Sequence, residues 1–182
     1  MRMFISVFIL LACTACVAAE GSRSAPVKTC SQISLARPGF GAPYHGTVRN
    51  DDYKLASTIP DGLTGWGAAP VAPFHGFTIF LPSDDDRSSC IMFEIYLRVE
   101  LGQRETRRHG TKVTIGGVPA WREDVAGAIN GTEFTNVTVR FSHAHDREID
   151  DGTVRLVTPT KDVSRNKPVF EAFLSQIRLV GQ

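Results

Sequence analysis

The sequence lacks a charge excess of either sign. Its 182 residues include 20 Lys and Arg against 19 Asp and Glu, for a formal net charge of +1, and the isoelectric point is about 7.7. Nucleic-acid binding needs a concentrated basic surface, so we expect no nucleic-acid partner. Hydrophobic residues make up 42% and charged residues 21% of the chain, a composition that excludes both a polytopic membrane protein and a disordered chain.

Motifs of common enzymes are also lacking. The chain has no GxSxG nucleophile turn, no HExxH zinc motif and no glycine-rich phosphate loop. Ser164 and Lys167 match the SxxK spacing, but neither SDN nor KTG accompanies them. Because no complete catalytic set is present, the sequence favours binding over catalysis. We assign no catalytic and no cofactor-binding residue.

The one strongly apolar run is short. Residues 4–12 are almost entirely apolar, Arg2 precedes them, and small residues accumulate up to Ala19. This pattern predicts a secretory signal peptide over residues 1–19, because the run is too short to span a bilayer. Cleavage after Ala19 would release a soluble chain, whereas lipoprotein-type cleavage at Cys13 or Cys16 would leave a lipid anchor. We therefore expect an exported protein, periplasmic or envelope-anchored, whose only membrane contact would be that anchor.

Cysteine is scarce, and its positions favour one pairing. Of the four cysteines, Cys13 and Cys16 lie within the signal-like segment, which leaves Cys30 and Cys90 for the exported domain. An exported protein meets an oxidising compartment, where paired cysteines form disulfides. The sequence therefore predicts a Cys30–Cys90 disulfide.

The chain divides into two segments after the signal peptide. Residues 20–73 are rich in Pro and Gly, and we expect an irregular segment packed on the main domain by its aromatic residues. Within this segment only residues 51–59 have the composition of a short regular element. Residues 74–182 have strand and helix patterns and form the predicted α+β domain.

Alternating apolar residues predict the strands of this domain. The clearest alternation covers residues 91–99, and three dipeptides, Gly116-Gly117, Asn130-Gly131 and Asp151-Gly152, are typical of tight turns between strands. Near the C-terminus the period changes to that of a helix that begins close to Pro168, with Leu179-Val180 as a closing edge strand. The predicted helical stripe consists of Phe170, Phe173, Leu174 and Ile177. The predicted fold is α+β, an antiparallel sheet of about six strands packed by a C-terminal helix.

The order of these elements resembles the PsbP-like domains of secreted envelope proteins and lipoproteins. A strand ending in Leu81-Pro82, antiparallel hairpins and a closing helix at residues 169–178 (VFEAFLSQIR) carry the resemblance, which covers about residues 74–180. The resemblance implies an α/β/α sandwich and binding to a protein partner. It supplies no catalytic residue, because these domains share no catalytic site.

Two histidines form the sharpest candidate site. His143 and His145 are two residues apart, so on a strand both imidazoles lie on one face and can reach one metal ion. Asp146 or Glu148 could add a carboxylate ligand. These residues predict an alternative function, a small hydrolase that depends on one transition metal ion such as zinc.

Two charge clusters flank the longest predicted strand. The acidic cluster precedes it and the basic cluster follows it, so a strand of residues 90–99 would separate them by about 33 Å. Charged ends of opposite sign could steer a protein partner. The predicted partner-binding residues are Asp84, Asp85, Asp86, Arg104, Arg107 and Arg108.

Three functions follow from these observations, with binding placed first. The favoured one is an exported, non-enzymatic envelope protein that binds an unknown protein partner through charged loops and exposed sheet edges. One concrete version is an immunity-type inhibitor of a toxin. The alternatives are the metal-dependent hydrolase and a sugar- or lipid-binding module that uses Trp66 and Trp121.

Overall fold

The structure is a computed structural model that describes residues 26–68, 75–84, 88–98 and 109–180. None of the helices in these residues is long and apolar enough to cross a membrane. The elements in chain order are α1 (Cys30–Ile33), β1 (Ala42–Tyr44), β2 (Thr47–Asn50), β3 (Leu55–Thr58), β4 (Gly65–Gly67), β5 (Gly76–Phe80), β6 (Cys90–Leu97), β7 (Thr111–Ile115), β8 (Val118–Ile129), β9 (Thr132–His145), β10 (Glu148–Pro159), a 3-10 turn (Thr160–Asp162), α2 (Val163–Ser175) and β11 (Arg178–Leu179).

The strands form two antiparallel sheets. The large sheet has eight strands in the order β1-β4-β5-β6-β10-β9-β8-β7, and the small sheet has three in the order β11-β3-β2. The predicted α+β class, the antiparallel sheet and the C-terminal helix are confirmed. The predicted number of about six strands is wrong, because β1 and β4 also join the large sheet.

The segment predicted to be irregular supplies these additional strands. Residues 42–67 contain β1 to β4, each of three or four residues. Strands this short show too few alternations to be recognised from hydrophobic periodicity, and the surrounding Pro and Gly residues mask them further. Only β3 falls within the stretch of residues 51–59 that the sequence singled out.

Two of the three predicted turns are correct and the third is wrong. Gly116-Gly117 and Asn130-Gly131 join β7 to β8 and β8 to β9, but Gly152 lies within β10. The turn before β10 is Asp146-Arg147, where both residues have positive φ, 44° and 72°. Gly152 is required for a different reason: a Cβ there would lie 2.2 Å from the Phe141 ring on the neighbouring strand. Glycine in a strand often marks such a close approach.

The main core lies on one face of the large sheet, which we call the inner face. Phe77 and Phe93 of this face pack against Phe173 of α2, with ring centroids 6.0 and 6.5 Å apart. The predicted apolar stripe of the helix is therefore confirmed at its centre. The helix begins at Val163 rather than near Pro168. Asn166, close to this start, is buried and donates a hydrogen bond to the Thr158 hydroxyl 2.9 Å away, which attaches the beginning of the helix to the end of β10.

The opposite face of the large sheet, the outer face, is partly covered by the N-terminal segment. The predicted disulfide between Cys30 of α1 and Cys90 of β6 is present, with the two Cα atoms 5.9 Å apart. Met92, Phe134 and Val157 of the sheet form a second buried cluster around it. The disulfide thus fixes α1 to the outer face.

Candidate functional site

The two candidate metal ligands lie on the inner face at the end of the β9–β10 hairpin. As the spacing predicts, His143 and His145 share a face, and their ring centroids are 5.0 Å apart. Strand pairing places Asp150 of β10 directly opposite His143. The Nε2 atom of His145 lies 2.5 Å from the Oδ2 atom of Asp150. These three residues are buried, and we call them the buried cluster.

Four polar atoms of the buried cluster lack a partner at hydrogen-bonding geometry in the described residues. They are both ring nitrogens of His143, Nδ1 of His145 and Oδ1 of Asp150. Burial lowers the pKa of His143, neighbouring His145 adds to this effect, and the backbone of Val180 opposes it. Burial raises the pKa of Asp150, although the hydrogen bond to His145 opposes that shift. The cluster is therefore an electrostatically costly part of the core.

The described residues supply no third metal ligand. No group of three His, Cys, Asp or Glu side chains among them has the arrangement of a metal site. Asp146 is exposed and pairs with Lys54 at 3.4 Å, and Glu148 is also exposed. Metal binding by His143 and His145 stays a prediction.

Strand β7 forms one of the two edges of the large sheet, and β1 forms the other. Because a two-residue turn joins β7 to β8, Ile115 and Val118 form a hydrogen-bonded pair. From there along the two strands, hydrogen-bonded pairs alternate with pairs that form no backbone hydrogen bond to each other. Lys112 and Thr114 therefore point their backbone N–H and C=O groups away from β8. The residue opposite Thr114 is Pro119, which has no N–H to offer, in agreement with this alternation. No strand in the described part of the chain pairs with this side of β7.

A groove runs along the inner face beside this edge. Its volume is about 520 Å³, and β7, β8 and α2 form its walls. Its apolar surface comes from Val113, Ile115, Val139 and Leu174. A 2.7 Å ion pair between Arg122 and Glu171 and the guanidinium of Arg178 supply its charge. An apolar groove beside unpaired backbone groups is suited to an extended peptide.

The predicted charge clusters lie mostly outside the described residues. Asp85, Asp86, Arg104, Arg107 and Arg108 fall there. Asp84 is described: its exposed carboxylate lies 3.0 Å from the Lys161 ammonium, and that hydrogen bond lowers its pKa. Binding of a partner by these clusters stays a prediction.

The two tryptophans do not form one site. Trp66 and Trp121 both lie on the outer face, in β4 and β8. Five strand spacings separate these strands, a distance of about 24 Å. A ligand that contacts both would have to cross most of the sheet.

Sequence reasoning missed Asp150, and a signal for it exists. A turn at Asp146-Arg147 places Asp150 opposite His143 by simple counting along an antiparallel hairpin. The Asp151-Gly152 dipeptide has the stronger turn composition, which moved the predicted turn five residues too late. The groove beside β7 gives no such signal, because Val113 and Leu174 meet only after the chain has folded.

Comparisons with known proteins give the fold and no family. No family model matches the chain, and no curated protein matches it. Among solved structures, it is similar to one from Bacteroides thetaiotaomicron, with a TM-score of 0.50 and 10% identity over 79% of this chain and 50% of that one. It is also similar to LpqN, involved in cell envelope biogenesis of Mycobacterium tuberculosis, with a TM-score of 0.51 and 12% identity over 85% of this chain and 98% of LpqN.

The resemblance to PsbP is present but weak. The PsbP protein of Synechocystis, CyanoP, has a TM-score of 0.37 and 12% identity over 81% of this chain and 98% of its own. The chain spans only half the length of the Bacteroides structure, so that protein's other half has no counterpart here. LpqN and the Bacteroides structure share the fold with this chain, and the likeness extends no further.

Proposed function

We propose that this is an exported, non-enzymatic protein, periplasmic or envelope-anchored, that binds another protein through the free edge of β7. The single observation that carries the proposal is an unpaired strand edge beside an apolar groove. An immunity-type inhibitor is one concrete form of such a protein. The proposal makes binding, and not turnover, the function.

Three observations support an exported, envelope protein. The Cys30–Cys90 disulfide belongs to an oxidising compartment, and residues 1–19 have the pattern of a signal peptide. LpqN, which has this fold, is involved in cell envelope biogenesis in its own organism. An envelope location for the present protein agrees with all three.

The geometry of β7 supports recognition by strand addition. Lys112 and Thr114 offer two N–H donors and two C=O acceptors at the edge, which is the pattern an added antiparallel strand can use. Successive side chains of such a strand alternate between the two faces. Every second side chain would therefore enter the groove beside Val113, where apolar contacts select the partner.

Charge around the edge favours an acidic partner strand. Lys112 and Arg178 are exposed, and neither has a carboxylate within ion-pair distance among the described residues. Arg178 instead donates to the backbone carbonyls of Ser175 and Ile177. A carboxylate of the partner could pair with either cation, which would add specificity and a faster association rate.

Site-specific photocrosslinking in the native organism tests this proposal. A photoreactive amino acid replaces Lys112, whose side chain is exposed at the edge. The yield of the crosslinked protein adduct is then compared between the Thr114→Pro and Thr114→Val variants. Proline at this position removes only an outward N–H and leaves the β7–β8 hydrogen bonds intact, whereas valine keeps that N–H.

We expect one discrete protein adduct whose yield falls roughly tenfold with Thr114→Pro and is unchanged with Thr114→Val. Equal thermal stability of the two variants verifies that the fold is intact. An adduct that forms equally in both backgrounds, or no discrete adduct, contradicts the proposal.

A further inference from the structure

A mainly apolar cavity lies on the outer face, away from the β7 groove. It has a volume of about 610 Å³ and lies beside the Cys30–Cys90 disulfide, between the N-terminal segment and the large sheet. Its size is that of a small-molecule site. Its lining includes Ser34, Arg37, Phe40, Phe80, Ser88 and Phe134.

Three phenylalanines give the cavity its apolar surface. Phe80 of β5 and Phe134 of β9 come from the sheet, and Phe40 comes from the N-terminal segment. Phe40 is 75% exposed, the most exposed large apolar side chain in the described residues. A phenyl ring left in water at the mouth of a cavity is stabilised when an apolar ligand covers it.

A cation marks one end of this cavity. The guanidinium carbon of Arg37 lies 4.6 Å from the centroid of the Phe40 ring. In the described residues Arg37 has no carboxylate within ion-pair distance. Ser31, Ser34 and Ser88 also line the cavity, and a serine hydroxyl can donate a hydrogen bond. The charge of Arg37 is therefore available to an anion.

We propose that this cavity binds a fatty carboxylate, with its alkyl chain against the three phenylalanines and its head group on Arg37. Arginine binds a carboxylate through two parallel hydrogen bonds, and this geometry fits one head group at the rim. The site is on the opposite face of the sheet from the β7 groove. It neither requires nor excludes the proposed partner binding.

Calorimetric titration of the disulfide-bonded protein with dodecanoate, below the concentration at which it forms micelles, tests the site. Arg37→Gln removes the cation, and Phe40→Ala removes the apolar mouth. Both side chains are exposed, so neither change should disturb the core. The matched controls are Arg49→Gln, at another exposed arginine, and Ile149→Ala, at an apolar side chain that is 39% exposed.

We expect saturable binding of one dodecanoate per chain, weakened about tenfold by Arg37→Gln and several-fold by Phe40→Ala, with both controls unchanged. Dodecan-1-ol, which has the chain without the charge, should bind as weakly to the wild type as dodecanoate binds to Arg37→Gln. The absence of saturable binding, equal binding of the alcohol, or affinities that Arg37→Gln and Phe40→Ala leave unchanged would each overturn the proposal.

Discussion

The Nε2 atom of His145 lies 2.5 Å from the Oδ2 atom of Asp150, and neither side chain is exposed to solvent by more than a few per cent. This buried pair links β9 to β10 beside their turn, on the inner face. Each partner compensates for the desolvation of the other, whereas His143 beside them has no charged partner among the described residues, and the Val180 backbone offsets its desolvation only in part. The His145–Asp150 pair and His143 should therefore affect the stability of the protein in different ways.

Loss of the Asp150 carboxylate should destabilise the protein strongly. Asp150→Ala leaves His145 buried without its partner, a change that typically costs about 3 kcal/mol or more of the free energy of unfolding. Urea denaturation measures this difference. The control is Lys161→Ala, which breaks the exposed ion pair with Asp84 and should cost far less, because solvent screens exposed charges. Similar losses for the two variants would show that the buried pair is not important for stability.

His143 should make the folded protein less stable as the pH falls below neutral. Burial lowers its pKa below the ordinary value of 6.5, so the unfolded chain takes up a proton at a pH where the folded chain does not. The contribution of neutral His143 to the free energy of unfolding is therefore full above pH 6.5. It is lost as the pH falls toward the lowered pKa, with a limiting slope of about 1.4 kcal/mol per pH unit.

Asp150 acts in the opposite direction. Its raised pKa means that the folded state holds a proton above 3.8, the ordinary value, so its unfavourable contribution to stability grows as the pH rises through the raised pKa.

To isolate His143, unfolding free energies of the wild type and His143→Gln are compared between pH 7.5 and 5, with exposed His109→Gln as the control. A smaller pH slope in His143→Gln alone is expected. The same slope in all three proteins would exclude His143 as the source.

The disulfide should contribute several kcal/mol. It links residues 60 apart in sequence, and the chain-entropy model gives about 4 kcal/mol for a loop of that length. Denaturation of the protein with and without a reductant measures this contribution. Cys30→Ala/Cys90→Ala, which cannot form the bond, should match the reduced protein. A double variant as stable as the oxidised wild type would show that the bond adds nothing.

Gly152→Ala should be poorly tolerated. The added Cβ would lie 2.2 Å from the buried Phe141 ring, and overpacking of this kind costs about 2 kcal/mol or more. Gly127→Ala is the matched control in β8 of the same sheet, because its added Cβ meets only the Val27 side chain, at 2.8 Å, in the half-exposed N-terminal segment. Equal thermal stability of the two variants would contradict the account of why a glycine lies within β10.

The sequence was sufficient for the long elements and insufficient for the short ones. The alternation over residues 91–99 and the glycine turns at 116–117 and 130–131 located the strands, because each signal is local. Strands β1 and β4 exist only through pairing with a neighbour, which three-residue segments do not reveal. The same distinction holds for the sites: the His143–His145 spacing is local, while the β7 groove and the Phe40 cavity join residues that are distant in sequence.

Amide hydrogen exchange at β7 tests the central claim most directly. The partner identified by crosslinking at position 112 is added to the protein, and exchange of each β7 amide is compared with and without it. Lys112 and Thr114 should be slowed in the complex, because their outward N–H groups gain strand hydrogen bonds, while Val113, already bonded to β8, should change little. Unchanged exchange at Lys112 and Thr114, with protection elsewhere in the chain, would contradict binding through this edge.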